Sequence, residues 1–220
     1  MPDYIVVCRN EGETLVKKLI LASKSPRRQE ILRTLGVEFS LLVSDVDETV
    51  EKLSPKKTVE TLAARKCAAS AELLDSEERR CSIVISADTV VSFGDEIFGK
   101  PHTAENAERM LRKLSGSVHE VHTGIAVMSD GRMTVESETT RVHFRDLTDE
   151  EIELYIRSGE PLDKAGAYGI QELGGLFVSA VEGDYFNIVG LPVCRLGRIL
   201  ARDFDYDILR EASGKRIDLL

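Results

Sequence analysis

Hydrophobic and polar positions follow two different periods along the chain, which divide it into short strands and helices. The apolar run at residues 19–22 predicts a buried strand. Ser25 followed by Pro26 predicts the capped start of a helix that ends at Gly36. The sequence LILASKSPRR, residues 19–28, is therefore predicted to form a strand, a tight turn and the first turn of a helix.

Further strands are predicted where apolar and polar residues alternate. One such segment, residues 37–48, is predicted to end in the carboxylates Asp45, Asp47 and Glu48. Turn residues between other strand-like segments predict hairpins, which lie at residues 94–95, 129–131 and 182–184.

Helices are predicted where apolar residues recur three or four positions apart behind a capping residue. They are predicted at residues 58–74, from the cap Thr103 to residue 114, after the capping box at 148–151, and from a final opening at 191–192. The glycine-rich residues 160–175 predict an ordered loop with tight turns or a short helix. Helices that alternate with strands, together with hairpins, predict an α/β fold around a mixed, strongly twisted sheet.

Composition and charge narrow the class of protein. The 220 residues contain no Pro/Ser-rich linker, which predicts one domain or two closely joined lobes. No apolar run approaches the length of a membrane span, and the N-terminus does not resemble a secretory signal. A formal net charge of −9 argues against a general nucleic-acid binder. Four dispersed cysteines are expected to be reduced cytosolic thiols: Cys8, Cys67, Cys81 and Cys194.

The turn after the first strand concentrates hydroxyl and cationic groups at a helix start. Ser23, Lys24, Ser25, Arg27 and Arg28 surround backbone N–H groups at the positive end of the helix dipole. Such an arrangement binds anions, and a bound anion would offset the unfavourable placement of cations there. The alternative is a solvated surface with a serine cap.

Polar residues that interrupt apolar strands are further candidates for chemistry. Asp88, in ISADTVV, is either a structural carboxylate paired with a buried lysine, or a metal ligand or general base with Glu48 as a second oxygen ligand. Lys66 and Lys100 are either exposed or neutralise phosphate oxygens in the transition state. The carboxamide of Gln171 can read the edge of a nucleotide base.

Several other features are expected to have structural roles. His119 and His122 are three residues apart on a predicted strand, so their side chains point to opposite faces and do not form a joint metal site. Asp163 and Lys164 are expected to form an ion pair that shapes the glycine-rich loop, and Tyr168 to be a core or rim aromatic residue. The chain has no Walker phosphate loop, dinucleotide glycine fingerprint or serine nucleophile elbow.

A set of segments taken together resembles the Maf family of nucleoside triphosphate pyrophosphatases. The segments are LASKSPRRQEIL, ISADTVV, GKP, LRKLSGSVHEVHTGIAV, EPLDKAGAYGIQELGG and VGLPV, in the family's order and approximate spacing over residues 19–200. The resemblance implies an elongated two-lobed α/β body with a central cleft, similar to the inosine-triphosphate pyrophosphatases. It also implies hydrolysis of the α–β phosphoanhydride of a nucleotide with Mg²⁺ or Mn²⁺, in a cytoplasmic homodimer.

The same resemblance implies roles for individual residues. Asp88 matches the catalytic proton acceptor and, with Glu48, the metal site, while Lys66 and Lys100 match catalytic positions on the phosphate side. Ser23, Ser25, Arg27 and Arg28 are assigned to the substrate phosphates, and Arg27, Thr89 and Gln171 to the specificity of the dTTP and UTP branch. Asp88 would either ligate the metal through one oxygen and accept the proton through the other, or only orient a water that the metal acidifies.

The family resemblance leaves the ends of the chain and the substrate open. It implies an N-terminal extension at residues 1–18, a Maf-like domain at 19–205 and a C-terminal tail at 206–220. Lys24 stands where the family frequently has glycine. The alternatives are a 7-methyl-GTP pyrophosphatase of the sister branch and a nucleotide-binding regulator of cell division or septum formation.

Overall fold

The computed structural model describes residues 17–217, so the predicted extension at residues 1–18 lies outside the described residues apart from its last two. Within the described part of the chain are seven strands: β1 Lys18–Leu21, β2 Phe39–Leu41, β3 Ser82–Phe93, β4 Glu96–Phe98, β5 Val118–Ser129, β6 Arg132–Phe144 and β7 Val178–Glu182. The helices are α1 Pro26–Thr34, α2 Pro55–Glu72, α3 Ser76–Arg80, α4 Ala104–Leu114, α5 Asp149–Arg157, α6 Tyr185–Val189, α7 Val193–Phe204 and α8 Ile208–Ile217. Three 3₁₀ helices cover Glu160–Asp163, Ala165–Ala167 and Leu173–Phe177.

The strands form one mixed sheet in the order β2-β1-β3-β5-β6-β7, with β4 paired to β3 beside this path. The pairs β1–β2 and β1–β3 are parallel, and the remaining pairs are antiparallel. The predicted α/β fold with a mixed sheet is confirmed. No helix of the described residues is long and apolar enough to cross a membrane.

The two long central strands run through separate hydrophobic cores. Ile83, Ile85 and Ala87 of β3 belong to a first core built with α1 and α7, whereas Val91 of the same strand belongs to a second core built with α4 and α5. β5 divides in the same way. A smaller cluster on the opposite face of the sheet packs α2 against Val84. The molecule therefore has two lobes that share β3 and β5.

Local signals in the sequence account for most of the elements. Ser54 caps α2 ahead of Pro55, three residues before the predicted start, and Thr103 caps α4. Thr148 and Glu151 form the predicted capping box of α5. The hairpins at residues 94–95 and 129–131 are confirmed, as are the tight turns between residues 160 and 175.

The third predicted hairpin, at residues 182–184, is wrong. β7 pairs with β6 alone, and the following residues form helix α6. Oδ1 of Asp184 accepts hydrogen bonds from the backbone N–H of Phe186 at 2.7 Å and of Asn187 at 3.3 Å. Asp184 is therefore a helix cap, and the same residue types that favour a turn also favour this cap.

Three further expectations differ from the structure. The strand predicted over residues 37–48 is paired only at Phe39–Leu41, and the carboxylates that follow it lie in an irregular segment. The helix that opens at residues 191–192 is not the final one, because α8 follows it. Cys67 and Cys194 are free thiols as expected, whereas Cys81 is disulfide-bonded, which contradicts the expectation that all the cysteines are reduced.

Candidate active site

A cleft of about 670 Å³ lies where β3 passes from the first core to the second, and its walls include Val189 of the first core and Tyr168 of the second. Every site residue predicted from the sequence lines this cleft. They are Ser23, Ser25, Arg27, Arg28, Glu48, Lys66, Asp88, Thr89, Lys100 and Gln171. The fold therefore brings residues from six separate segments of the chain to one place, although their individual roles stay predictions.

Lys66 and two carboxylates form the charged group at the floor of the cleft. The Nζ atom of Lys66 lies 2.6 Å from Oδ1 of Asp88 and 2.9 Å from Oε1 of Glu48. Asp88 is nearly buried, whereas Glu48 is exposed on the irregular segment after β2. The lysine neutralises the buried carboxylate, and both carboxylate oxygens face the same small volume.

Helix α2 is fixed to β3 by side chains next to this group. The hydroxyl of Ser86 donates to the carbonyl of Ala63 at 2.6 Å, and the thiol of Cys67 donates to the carbonyl of Val84 at 3.4 Å. On β5, Gly124 pairs with Asp88, and a Cβ atom there would lie 2.5 Å from the carbonyl carbon of Val59. The glycine lets α2 approach the sheet, which places Lys66 above Asp88.

Arg28 contacts β3 on the face opposite to Lys66. Its partner Thr89 follows Asp88 on the strand, and neighbouring residues on a strand point to opposite faces. Its guanidinium donates to the carbonyl of Gly190 at 2.8 Å, to Oγ1 of Thr89 at 3.1 Å and to Oγ of Ser23 at 3.2 Å. Burial lowers the pKa of Arg28, against the opposing effect of the Asp88 charge. Arg28 is therefore a structural tie as well as a predicted phosphate ligand.

Thr89, predicted as a specificity residue, is engaged with the protein. Its hydroxyl lies 2.9 Å from that of Thr123, which donates to the carbonyl of Asn187 at 2.9 Å. This chain of hydrogen bonds links Arg28, β3, β5 and α6. An effect of Thr89 on specificity would therefore pass through the shape of this wall.

The start of α1 retains unpaired donors, as the sequence predicts. Ser25 occupies the cap position, but its side chain makes no capping hydrogen bond. The backbone N–H groups of Arg27 and Arg28 have no acceptor among residues 17–217. Oγ of Ser23 accepts from the backbone N–H of Ser25 and from Arg28, both at 3.2 Å, so its hydroxyl proton remains available to donate.

Besides Ser25, three predicted site residues have side chains without a hydrogen bond or ion pair in the described part of the chain. They are Arg27, which is half-buried, and Lys100 and Gln171, which are exposed. Lys24, by contrast, pairs with Asp45 at 2.9 Å, and this hydrogen bond lowers the pKa of Asp45. The unpaired cations at the cleft are therefore Arg27 and Lys100 within that part of the structure.

The loop that carries Gln171 is ordered by residues that the sequence analysis did not single out. The carboxylate of Glu160 accepts from the hydroxyl of Tyr155 at 2.7 Å and from the backbone N–H of Leu173 at 3.0 Å and of Gly174 at 3.1 Å. Burial raises the pKa of Tyr155, so its hydroxyl remains a donor. The signal in the sequence is the glycine content, since a Cβ at Gly174 would lie 2.6 Å from the Tyr155 hydroxyl.

The two central histidines do not form a joint site. Nε2 of His119 lies 2.9 Å from the hydroxyl of Tyr168 in the second core, whereas Nε2 of His122 lies 2.9 Å from Oγ of Ser92. Burial lowers the pKa of both rings, that of His119 to about 4. The expectation of structural roles for these residues agrees with the structure, and no group of three or more candidate metal ligands occurs in the described residues.

Comparisons with known proteins match the chain to one family and to named relatives. Residues 18–203 match the family described as "Maf-like protein". A dTTP/UTP pyrophosphatase of Alkaliphilus metalliredigens is 50% identical over 197 residues, which cover 88% of this chain and 100% of that protein. Another, of Bacillus cereus, is 47% identical over 201 residues, which cover 91% and 96%.

A search of solved structures gives a partial match to the Ham1 protein of Staphylococcus aureus. Its TM-score is 0.43 at 19% sequence identity, over 59% of this chain and 73% of that one. The family match and the two relatives extend over most of the chain. This protein therefore belongs to the Maf family.

Proposed function

We propose that the protein hydrolyses dTTP and UTP to the nucleoside monophosphate and pyrophosphate. The relatives that share about half of its residues carry this activity in their names. The single observation that carries the proposal is the meeting of unpaired cationic donors with a carboxylate pair in one cleft. A triphosphate chain would satisfy the donors, while the carboxylates serve the reaction at phosphorus.

The phosphate side of the cleft is assigned to the start of α1 and to two side chains. Arg27 and Lys100 offer charges that have no partner among residues 17–217, and the N–H groups of the first helical turn form the positive end of the helix dipole. The available proton of Ser23 adds a neutral donor. These groups would hold the triphosphate and stabilise charge that builds up on its leaving pyrophosphate.

A divalent cation fits the two carboxylates. The oxygens of Asp88 and Glu48 both lie within hydrogen-bond distance of one ammonium nitrogen, so they face a common point. Mg²⁺ is typically held by one or two carboxylates together with substrate phosphates. Bound there, Mg²⁺ or Mn²⁺ would neutralise nonbridging phosphate oxygens and acidify water.

Asp88 is the proposed proton acceptor. Its Oδ1 atom is engaged with Lys66, whereas the other carboxylate oxygen has no hydrogen bond in the described residues. That oxygen can take a proton from the attacking water as the α–β bridging bond breaks and the bridging electrons leave with pyrophosphate. Once a triphosphate is bound, Lys66 can donate its hydrogen bond to a phosphate oxygen in place of Asp88. It would then stabilise the negative charge that develops on the phosphate.

The base side of the cleft is assigned to Gln171. A carboxamide can donate to the O4 atom of uracil or thymine and accept from N3–H. Gln171 lies on a different segment of the cleft lining from the start of α1, so base recognition and phosphate binding are assigned to separate segments of the chain. The cytoplasmic homodimer implied by the family resemblance is part of the same proposal, and sedimentation of the purified chain tests the dimer.

The experiment is pyrophosphate release from dTTP, UTP, CTP and 7-methyl-GTP with Mg²⁺ or Mn²⁺, for the parent and for Asp88→Asn. We expect release from dTTP and UTP that is lost in the variant. Preference for 7-methyl-GTP would contradict the substrate assignment. Nucleotide binding without release would contradict the enzymatic one and favour a nucleotide-binding regulator.

A further inference from the structure

Lys164 is a buried lysine that the proposed reaction does not use. Its side chain is 7% exposed, although it lines the cleft. Nζ donates to the carbonyl of Glu160 at 2.9 Å and to Oδ1 of Asp163 at 3.1 Å, and lies 3.5 Å from Oε1 of Glu172. Two of the three N–H donors of the ammonium group therefore bind oxygens of the loop, and the Glu172 carboxylate lies close enough to pair with its charge.

The loop packs against the aliphatic part of the Lys164 side chain as well as around its ammonium group. A Cβ atom at Gly169 would lie 2.8 Å from Cε of Lys164, so the backbone of residue 169 rests on the lysine side chain. The N–H of Gly169 donates to the hydroxyl of Tyr155 at 3.2 Å. Lys164 is thus enclosed by the chain that precedes it and by the chain that follows it.

Gln171 lies between the two positions of this loop that contact Lys164. The N–H of Glu172 donates to the carbonyl of Gly169 at 3.3 Å, which closes a tight turn with Gln171 at its tip. The Gln171 side chain makes no hydrogen bond within the described part of the chain. Its place in the cleft therefore depends on the turn, and the turn rests on Lys164.

We propose that Lys164 is a positioning residue that holds Gln171 against the nucleotide base and thereby sets the preference for uracil and thymine over cytosine. The inference rests on the proposed function, since it names what controls base selection in the same site. A carboxamide presents the same two groups to uracil and to cytosine if it rotates by half a turn. Selection between these bases therefore requires the loop to limit how Gln171 approaches the base.

The test compares binding of the α,β-methylene analogues of UTP and CTP by calorimetry, in parallel with pyrophosphate release from the natural nucleotides. The Lys164→Met variant keeps an aliphatic side chain against Gly169 and removes the charge. We expect the UTP-to-CTP affinity ratio to fall about tenfold, mainly through weaker UTP binding. We expect a smaller change in kcat, because Lys164 is not among the residues assigned to the reacting phosphates.

Two further variants keep the test decisive. Glu172→Gln leaves Lys164 in place and alters only the contact beside Gln171, so it tests the inference even if Lys164→Met does not fold. Lys57→Met is the matched control, because Lys57 also pairs with a glutamate, Glu60, at 2.8 Å but does not line the cleft. The control should keep the parental ratio.

An unchanged ratio in folded Lys164→Met and in Glu172→Gln would overturn the positioning role and leave the proposed function in place. Binding without pyrophosphate release by the parent would overturn the proposed function, while the affinity ratios would still decide the role of Lys164. Equal affinity of the parent for both analogues would overturn the base selectivity on which the inference rests.

Discussion

The ammonium group of Lys66 donates a hydrogen bond to Oδ1 of Asp88 at 2.6 Å. Lys66 lies on α2, which two other hydrogen bonds fix to β3, the strand that carries Asp88. The same nitrogen lies 2.9 Å from Glu48. Within the described residues, the lysine thus stands between the two carboxylates to which we assign a divalent cation. The Lys66 ammonium group and a divalent cation would therefore compete for the same place between the two carboxylates.

Removal of the lysine charge should favour the metal. In Lys66→Met, we expect the nucleotide-free protein to bind Mn²⁺ about tenfold more tightly, because the two carboxylates lose their competing cation. Calorimetry with Mn²⁺ alone measures this. Lys100→Met, which removes a cation with no carboxylate partner among residues 17–217, should leave Mn²⁺ affinity unchanged. Weaker Mn²⁺ binding in Lys66→Met would contradict the assignment of the metal to Asp88 and Glu48.

Asp88→Asn should lower kcat for UTP about a hundredfold or more, because an amide cannot accept the proton of the attacking water. The matched control is Asp45→Asn, which changes another cleft carboxylate, one that pairs with the exposed Lys24. The initial rate of pyrophosphate release measures both. Equal losses in the two variants would indicate a general effect of cleft charge and not a proton acceptor at Asp88.

Gln171→Glu should reverse the preference between pyrimidines. A carboxylate accepts from the N4 amino group of cytosine but cannot donate to O4 of uracil. We expect kcat/KM to fall for UTP and to rise relative to it for CTP, by about tenfold or more in the ratio. Steady-state kinetics with both nucleotides at one Mg²⁺ concentration measure this ratio of kcat/KM values. A parallel loss for UTP and CTP would place Gln171 away from the base.

Gly124→Ala should reduce both stability and turnover. The new Cβ would overlap the backbone of Val59, so α2 must shift from the sheet at about 1–3 kcal/mol in the free energy of unfolding. Lys66 would move with the helix. Gly197→Ala is the control, because nothing lies within 4 Å of its Cβ position on α7, and alanine there favours the helix. Thermal unfolding and pyrophosphate release measure the two effects.

Acid should destabilise the protein partly through His119. Burial lowers the pKa of this ring to about 4 from an ordinary 6.5, and its Nδ1 has no acceptor among the described residues. The unfolded chain therefore binds a proton between these values that the folded protein does not. The resulting stability is complete above pH 6.5 and is lost as the pH falls towards 4.

The loss should reach about 3 kcal/mol near pH 4. Urea unfolding of the parent and of His119→Gln between pH 4 and pH 7.5 measures it. The variant should show a shallower dependence of stability on pH than the parent. Identical pH dependences would mean that other groups control the acid sensitivity.

The residues assigned to the site from the sequence all line one cleft, and their roles stay predictions, whereas some predicted elements of the fold were wrong. Elements whose ends are marked by local sequence signals were predicted correctly, such as the strand and helix on either side of the turn at Ser25–Pro26. The helix at Tyr185–Val189 was missed, because the pair Gly183-Asp184 suits both a turn and a cap. What decides between them is tertiary: Asn187 is fully buried and donates to the carbonyl of Val121 at 2.8 Å.

The structural contacts of Arg28 also could not be predicted from the sequence. Its pattern indicated a phosphate ligand, whereas its contacts with Thr89 and Gly190 join segments far apart in the chain. The Arg28 side chain therefore contributes hydrogen bonds to the fold, whereas that of Arg27 makes none in the described part of the chain. Lys164 was predicted correctly as a partner of Asp163, but its enclosure by Gly169 depends on how the loop closes.

The sharing of β3 and β5 by both cores has a consequence for how the molecule unfolds. Neither lobe has a complete sheet of its own, so neither can lose its structure while the other keeps its paired strands. Heat should therefore melt both lobes in one cooperative transition, despite the cleft between them. The width of the cleft is set by the stiffness of two continuous strands and not by a flexible linker.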